Sequence, residues 1–317
     1  MLKIVIAGYG EMFTNIILGS IESGHNVVGV FRHDHVLHSP TKLFFKDIFN
    51  PSKEKLFINS QNLYEIIAPS INSEKFKNEI IKLNADIIIV ASWSEKLKRA
   101  TINLPKIASI NCHPSLLPKY RGPNPYSRTI MAGESKTGIT FHLMDEKFDT
   151  GAILHQKEIP IMPFDNGNTL KLRCAGTARN EIKTLLTNIT SDIIIPIPQD
   201  EKRATYQPQL DEKDILIDFN QPAEVIDRKI RGLTPWMKCY IPHKNDFFEV
   251  YDYKIINNNT NIKTAAKIID KTKENITISC NDGKAIEFIK PKIFETLFPV
   301  STRAYIKFKV NIGDDAN

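Results

Sequence analysis

From residue 109 to residue 122 the chain reads Ser-Ile-Asn-Cys-His-Pro-Ser-Leu-Leu-Pro-Lys-Tyr-Arg-Gly, and this stretch decides the fold. It begins as a short apolar strand, which Pro114 and Pro118 end because proline cannot donate a ladder hydrogen bond. Asn111 and His113 lie two positions apart, so an extended chain presents both side chains on one face. Ligands of an open α/β sheet bind at the carboxyl ends of its strands. The stretch therefore predicts a strand end that carries an amide and an imidazole at a candidate site.

A second stretch supplies a carboxylate near the same place. Residues 137–145 alternate apolar and polar side chains, which is typical of a half-buried strand, and a polar turn with Asp149-Thr150-Gly151 follows. Another strand is predicted over residues 152–161. Because Asp149 lies on the turn between two strands, we expect it to converge with Asn111 and His113. Either stretch alone is unspecific, since an Asn-x-His pair usually only caps local backbone.

Taken together, the run Asn111-Cys112-His113-Pro114-Ser115-Leu116-Leu117-Pro118 and the later Asp149-Thr150-Gly151 resemble the motifs of the formyltetrahydrofolate-dependent formyltransferases. The resemblance implies that Asn111, His113 and Asp149 are catalytic and that 10-formyltetrahydrofolate is the co-substrate. Formyl transfer to an amine passes through a tetrahedral oxyanion, for which the Asn111 amide and a protonated His113 are suitable donors. His113, or a water held by Asp149, can relay the proton that the amine loses. Cys112 points to the opposite strand face and is interpreted as a core residue.

The same resemblance implies further contacts by position. The pterin of the folate is expected near Trp93, Leu97, Leu117 and Asp145. The acceptor substrate is expected near Ser115, Leu116, Pro118 and Arg121. For Trp93 an equally weighted alternative is a buried packing aromatic. No metal is expected, because no cluster of metal ligands is visible in the sequence.

The length of 317 residues suits two domains. A strand over residues 3–7, a helix over 11–23 and a strand over 26–31 form a βαβ start, and residues 85–91 form a further buried strand. These elements predict an α/β fold with a doubly wound, Rossmann-like parallel sheet. Frequent prolines and a weak periodicity of apolar residues predict a linker after the last helix of this domain. The predicted parts are a catalytic domain over 1–187, a linker over 188–210 and a C-terminal domain over 211–317.

The C-terminal domain is predicted as a small, OB-like β-barrel, because short strands alternate with turns and the resembling family carries such a domain. The predicted strands span 247–256, 262–269, 276–279, 285–289 and 305–310. The run Ile226–Trp236 is similar to the joint before that domain in methionyl-tRNA and aminosugar-nucleotide formyltransferases.

Two further features invite functional interpretations that the sequence disfavours. Gly8-x-Gly10 could begin a dinucleotide fingerprint, but Phe13 occupies the position of its third glycine. Residues 32–55 form a predicted insertion-like loop, basic and aromatic, that contains His33, His35 and His38. Because the spacing of these histidines suits no common metal pattern, we expect them to be solvated. The loop could instead contact an acceptor substrate.

The composition indicates a globular cytoplasmic protein, with 42% apolar and 25% charged residues. No apolar run approaches the roughly 20 residues needed to cross a bilayer, and the N-terminal run is too short for a signal peptide. Four scattered cysteines without a Cys-x-x-Cys pair suit a reducing compartment. The net charge of +6 permits a nucleic-acid partner without requiring one.

The sequence leaves more than one candidate for the acceptor of the formyl group. Methionyl-tRNA is the first candidate, from the resemblance and the domain layout, and implies initiator tRNA formylation in translation initiation. An aminosugar nucleotide is the second, because residues 206–317 carry 17 Lys and Arg against 16 Asp and Glu, whereas a tRNA-binding domain should be basic. A formyltetrahydrofolate hydrolase is less favoured, because deformylases usually carry an extra N-terminal domain and this sequence begins at the first strand. A catalytically inactive folate- or RNA-binding module is disfavoured by the intact Asn, His and Asp.

Overall fold

The computed structural model describes residues 1–243, 246–257 and 264–294, which form two compact units. The first unit contains residues 1–125, 135–161 and 169–208. The second contains residues 126–134, 162–168 and the described residues from 209 on. The segment predicted as a linker therefore lies mostly within the first unit.

A six-stranded sheet in the first unit positions the candidate site. Its strands are β1 (Lys3–Gly8), β2 (Asn26–Arg32), β3 (Ile87–Ala91), β4 (Ala108–His113), β5 (Lys136–Leu143) and β6 (Ile153–Pro160). Their order is β2-β1-β3-β4-β5-β6. The first four strands pair in parallel, while β5 and β6 pair antiparallel. The predicted α/β fold with a mainly parallel sheet is confirmed, and β3 is buried along its whole length, as its continuous apolar run indicates.

Helices cover this sheet or belong to the second unit. They are α1 (Gly10–Glu22), α2 (Asp34–Leu37), α3 (Pro40–Phe49), α4 (Lys53–Ser60), α5 (Glu74–Leu83), α6 (Arg99–Ile102), α7 (Pro125–Met131), α8 (Gly167–Thr190), α9 (Glu212–Ile215) and α10 (Ala223–Leu233). None of the described helices combines the length and the apolar character that a membrane span requires.

Gly8 has a packing role at the end of β1. A Cβ built on Gly8 would lie 2.1 Å from the carbonyl oxygen of Ala91 on β3 and 3.0 Å from the Phe13 ring. Only glycine allows the backbones of β1 and β3 to approach so closely. Close packing therefore accounts for this glycine without a bound dinucleotide.

The prediction of a loop over residues 32–55 is wrong, because the segment forms α2, α3 and the start of α4. Ser39 and Ser52 cap α3 and α4 by accepting hydrogen bonds from backbone N–H groups in the first turn, and Pro40 suits the first helical position. His33 is buried and bonds to Ser94, so the expectation of solvated histidines also fails there. Ser39 and Ser52 are recognisable cap residues in the sequence, but the basic and aromatic composition of the segment suggested a loop.

A buried ion-pair cluster anchors this segment to the sheet. The Arg32 side chain, 1% exposed, contacts Asp34 at 2.9 Å and both Asp47 and Glu65 at 2.5 Å. Burial by itself would raise the pKa of Glu65, but hydrogen bonds from His35, Lys55 and Arg32 lower it to about 2. Arg32 is thus shared by three carboxylates, while Asp34 also pairs with Lys46 and Glu65 with Lys55.

Replacing Arg32 by Met is expected to lower the free energy of unfolding by about 3–5 kcal/mol, because it removes the buried cation shared by three half-buried carboxylates and leaves Asp47 without an ion-pair partner among the described residues. The matched control is Lys46→Met, which removes a half-exposed partner of Asp34 and should cost about 1 kcal/mol or less. Urea titration followed by circular dichroism measures both. Equal losses in the two variants would show that the cluster is not held by Arg32.

The second unit contains two antiparallel sheets. The first is ordered β10-β11-β12-β9 and the second β13-β8-β7. The strands are β7 (Tyr240–His243), β8 (Asp246–Glu249), β9 (Asp252–Ile256), β10 (Ile268–Lys271), β11 (Asn275–Ser279), β12 (Ala285–Ile289) and β13 (Lys292–Phe294). The predicted small β-fold after α10 is confirmed in these described strands.

Single strands differ from the prediction. The strand predicted over 247–256 is two strands in two sheets, interrupted where the Val250 N–H donates to the carbonyl of Cys239. Neither Gly nor Pro marks this break, so the local pattern could not reveal it. The strand predicted over 305–310, and the start of the one predicted over 262–269, lie outside the described residues.

Candidate active site

Strand register brings the predicted catalytic side chains together. Antiparallel pairing of β4 with β5 sets Asn111 opposite His142 and His113 opposite Thr140. Asp149 follows β5 in the turn before β6, and its Oδ1 accepts a hydrogen bond from Asn111 Nδ2 at 3.2 Å. His113 Nδ1 lies 3.4 Å from the same oxygen. The amide, the imidazole and the carboxylate thus meet at the carboxyl end of β4.

Gly151 allows this turn to approach β5. A Cβ on Gly151 would lie 1.8 Å from the carbonyl oxygen of Leu143, so any other residue would push the turn away. Asp149 itself adopts a left-handed conformation with φ of 59°, which Asp tolerates better than most residues. The Asp-x-Gly pattern is therefore a requirement of the backbone as well as of the chemistry.

Both nitrogens of His113 face acceptors. Nε2 lies 2.8 Å from the Tyr120 carbonyl oxygen, while Nδ1 faces the Asp149 carboxylate. A neutral ring carries only one N–H and would turn a lone pair toward one of these oxygens. The arrangement therefore suits the doubly protonated imidazolium, which is 6% exposed.

The Asp149 carboxylate is held in its charged form. Burial alone would raise its pKa, but the charge of His113 and the hydrogen bond from the Gly122 N–H hold that pKa well below the ordinary range. The Gly122 N–H donates to Oδ2 at 2.8 Å. Asp149 is thus a fixed anion beside His113.

His142 lies in the candidate site, although the sequence motifs do not include it. Its Nδ1 lies 2.7 Å from the Leu143 carbonyl and donates to it, so its Nε2 can accept from Asn111 Nδ2 at 3.1 Å. The alternation of residues 137–145 placed His142 on one face of a strand, but only the register shows that this face is opposite Asn111. His142 therefore orients the Asn111 amide.

The Asn111 amide offers an acceptor. Its two N–H groups point to Asp149 and His142, and within the described residues the hydrogen bonds of this side chain all come from Nδ2 and leave Oδ1 for a ligand. From the sequence alone, the amide N–H groups were expected to bind the oxyanion. In this arrangement those hydrogens are engaged, and the oxygen is the group that remains for a ligand.

The residues predicted to contact the folate differ in their surroundings. Leu97 and Leu117 are buried. The Trp93 ring packs edge-on against His33 at 4.8 Å, and its buried Nε1 has no hydrogen-bond partner in the part of the chain that the structure describes. The exposed Asp145 accepts hydrogen bonds from Thr150 Oγ1 and the Lys147 N–H. Their contact with folate stays a prediction.

The residues predicted to contact the acceptor are engaged within the protein. The Ser115 hydroxyl is fully buried and donates to the Lys119 carbonyl at 2.7 Å, and a Cβ on Gly138 would lie 2.4 Å from Leu116 Cδ2. The Pro118 carbonyl accepts from the Thr205 N–H, and Arg121 binds Gln199 and Glu201. Acceptor binding by Ser115, Leu116, Pro118 and Arg121 stays a prediction.

Within the described residues, no group of three or more His, Cys, Asp or Glu side chains is arranged to hold a metal ion. The four cysteines are buried free thiols. Burial raises the pKa of Cys239 to about 12, so this thiol stays protonated at neutral pH.

Comparison with known proteins gives concordant matches. A family model described as formyl transferase matches residues 2–186, and one described as formyl transferase, C-terminal domain, matches residues 209–293. Methionyl-tRNA formyltransferase of Enterococcus faecalis is 29% identical over 287 residues, which cover 90% of this chain and 90% of that protein. The corresponding protein of Staphylococcus aureus is 29% identical over 286 residues, with the same coverage.

Solved structures share the fold. An N-formyltransferase from Helicobacter canadensis, solved with folinic acid and dTDP-3-aminofucose, superposes with a TM-score of 0.66 at 20% identity and covers 92% of this chain and 100% of that one. WlaRD, a sugar 3N-formyl transferase solved in the presence of dTDP and 5-N-formyl-THF, gives a TM-score of 0.64 at 21% identity, with coverage of 92% and 98%.

Proposed function

This chain belongs to the formyl transferase family, and from that premise we propose that it transfers a formyl group from 10-formyltetrahydrofolate to the amino group of an acceptor, first of all methionyl-tRNA. The observation that carries the proposal is the convergence of Asn111, His113 and Asp149 within 3.4 Å contacts at one strand end. A formyltransferase needs a group that stabilises an oxyanion and a group that binds the attacking amine, and this cluster contains both.

In the proposed reaction the acceptor amine attacks the formyl carbon, and a C–N bond forms as the carbonyl oxygen becomes an oxyanion. The bond between that carbon and the folate nitrogen then breaks, the folate nitrogen takes up a proton and the former amine loses one. In the proposal the His113 imidazolium stabilises the oxyanion by its positive charge, and its Nε2–H exchanges the Tyr120 carbonyl for the substrate oxygen when it donates a hydrogen bond or supplies a proton. One well-placed donor of this kind is worth about 2.7–4 kcal/mol of transition-state stabilisation.

Asp149 acts through its charge in this proposal. A carboxylate whose pKa lies well below the ordinary range is a weak base, so it is poorly suited to keep the proton from the amine. It faces His113 Nδ1 at 3.4 Å and aligns the Asn111 amide. The free Asn111 oxygen is then available to accept a hydrogen bond from the attacking amine.

Folate as the formyl carrier is supported by two observations. The two solved relatives contain folinic acid and 5-N-formyl-THF. In this chain Trp93 follows β3, the neighbour of β4, and its buried indole N–H has no partner among the described residues. A buried donor without an acceptor is costly, and a pterin offers acceptor atoms.

Methionyl-tRNA is the first acceptor because the sequence relatives with that name align over 90% of both chains. The second candidate is an aminosugar nucleotide. Two observations favour it. One solved relative is in complex with dTDP-3-aminofucose and the other is a sugar 3N-formyl transferase solved in the presence of dTDP. Residues 206–317 also carry 17 basic against 16 acidic residues.

An acceptor assay separates these candidates. We expect formylation of methionyl-tRNA, with an affinity that falls steeply with salt, by about 10³–10⁵-fold between 50 and 200 mM salt if 6–10 phosphates are contacted. A panel of aminosugar nucleotides is assayed in parallel. Formylation of a sugar nucleotide without salt-sensitive tRNA binding would assign the second acceptor. Turnover of 10-formyltetrahydrofolate without any amine would indicate a hydrolase.

A further inference from the structure

Residues 197–207, here called the strap, lie in the segment predicted as a linker but are hydrogen-bonded to both sides of the site. At one end Ile197 pairs with Ile153 at the start of β6. At the other end the Thr205 hydroxyl accepts from the Tyr120 N–H at 2.8 Å, and the Gln207 N–H donates to the Arg121 carbonyl at 2.8 Å. The strap therefore contacts the segment that supplies the Tyr120 carbonyl to His113 and the Gly122 N–H to Asp149.

Gln199 is the strap residue nearest to the Asp149 turn. Its Nε2 donates to the Asp149 carbonyl at 2.9 Å and to the Gly151 carbonyl at 2.8 Å. Its Oε1 accepts from Arg121 Nε at 3.1 Å and Nη2 at 2.8 Å. These four contacts fix which end of the amide is nitrogen, because carbonyls need a donor and a guanidinium needs an acceptor.

Arg121 in turn is held rigidly. Its guanidinium is 8% exposed and forms a two-pronged ion pair with Glu201, at 3.0 and 2.7 Å. A planar guanidinium with this pairing has little rotational freedom. Glu201, Arg121 and Gln199 thus form one chain of contacts that ends on the backbone of Asp149.

The Asp149 turn needs such support. Asp149 has a positive φ, which is uncommon outside glycine, and a second positive φ occurs at Tyr120, at 59°. Such backbone conformations are strained, and they persist where several surrounding contacts hold the residue in place. The Gly122 N–H, which follows Arg121 in the chain, donates to the Asp149 carboxylate. Gln199, which accepts hydrogen bonds from Arg121, donates to the backbone carbonyl of Asp149.

We propose that Gln199 is a positioning residue of the formyl transfer reaction, which sets the Asp149 carboxylate against His113 through its two hydrogen bonds to the Asp149 turn. The inference rests on the proposed function for its catalytic consequence, but its geometry is independent of the acceptor. Gln199 acts only through Asp149, so its effect must vanish when the Asp149 side chain is removed.

Three variants test this. Gln199→Ala removes both hydrogen bonds to the turn. Gln199→Glu keeps the size of the side chain and the acceptor for Arg121, but it turns carboxylate oxygens toward two carbonyls. Gln207→Ala is the matched control, because the recorded hydrogen bond of Gln207 with Arg121 comes from its backbone.

We expect both Gln199 variants to lower kcat by about 10–100-fold, since a misplacement of about 1 Å can cost about 10²-fold. The KM for 10-formyltetrahydrofolate should stay within about twofold, and Gln207→Ala should leave both constants within about twofold. In the Asp149→Ala background Gln199→Ala should change kcat by less than about twofold, because the carboxylate it positions is gone. Equal losses in both backgrounds, or a wild-type kcat in both Gln199 variants, would overturn the proposal.

A second readout does not depend on activity. The Gly122 amide is shielded by its hydrogen bond to Asp149, so its hydrogen exchange should accelerate in Gln199→Ala and in Asp149→Ala but not in Gln207→Ala. The Ile110 amide in β4 is the reference for global stability. If the wild-type protein transfers formyl to no amine, the proposed function fails, while exchange at Gly122 still tests the positioning. Unchanged exchange at Gly122 in Gln199→Ala would contradict it.

Discussion

His113→Ala is expected to lower kcat by about 10³-fold, within the range measured for the loss of an oxyanion donor or a general acid. The reason is that the two ring nitrogens of His113 face the Tyr120 carbonyl and the Asp149 carboxylate, so that both positions suit an N–H group. Rates are measured with 10-formyltetrahydrofolate and with whichever acceptor the wild-type protein formylates. Circular dichroism checks that the variant is folded.

His155→Ala is the matched control for this substitution. His155 lies on β6 and pairs with Glu181 at 2.7 Å, which is an ion-pair geometry similar to that of His113 but away from Asn111 and Asp149. Its removal should leave kcat within about twofold, as for most substitutions outside a site. A near wild-type kcat in folded His113→Ala would show that the catalytic cluster has been assigned to the wrong side chains.

Local sequence patterns could predict those parts of the site that depend on the two-residue repeat of a strand or on the residues a turn requires. Strand β4 follows from its apolar run and its prolines, and Asn111 and His113 share a face because a strand repeats every two residues. The Asp149 turn follows from Gly151. Each of these features depends on a few neighbouring residues, so the sequence alone contains them.

Other parts depend on contacts between residues far apart in the chain. His142 belongs to the site because β5 pairs with β4 in one register, and a slip of one residue would turn it to the other face. The strap lacks periodicity and lies in a segment with Pro196, Pro198 and Pro208, so it has the composition of a linker. Gln199 and Thr205 nevertheless bond to residues 50 and 85 positions away. Helices α2 to α4 were missed for a different reason, since the buried Arg32 cluster that anchors them has no local signature.

Asp149→Asn is expected to lower kcat by about 10²–10⁴-fold, because it removes the anion that faces His113 and turns either an amide N–H or a neutral oxygen toward it. Asn keeps the size of the side chain and tolerates the left-handed backbone at φ of 59°. The loss should therefore appear in kcat, with the fold preserved. A folded Asp149→Asn variant with a wild-type kcat would exclude the electrostatic role.

The stability of the same variant tests the charge of Asp149 independently of catalysis. A group whose pKa is lower in the folded than in the unfolded protein stabilises the fold above its unfolded pKa, about 3.9 for Asp, and loses this contribution as the pH falls toward the folded value. The wild-type protein should therefore be more stable than Asp149→Asn between about pH 5 and pH 7, and the difference should shrink below about pH 4. Asp192→Asn is the control, because Asp192 has a similar φ of 55° but is exposed. If the difference for Asp149→Asn stayed constant on acidification, or followed that of Asp192→Asn, the carboxylate would not be the buried anion on which the proposed chemistry depends.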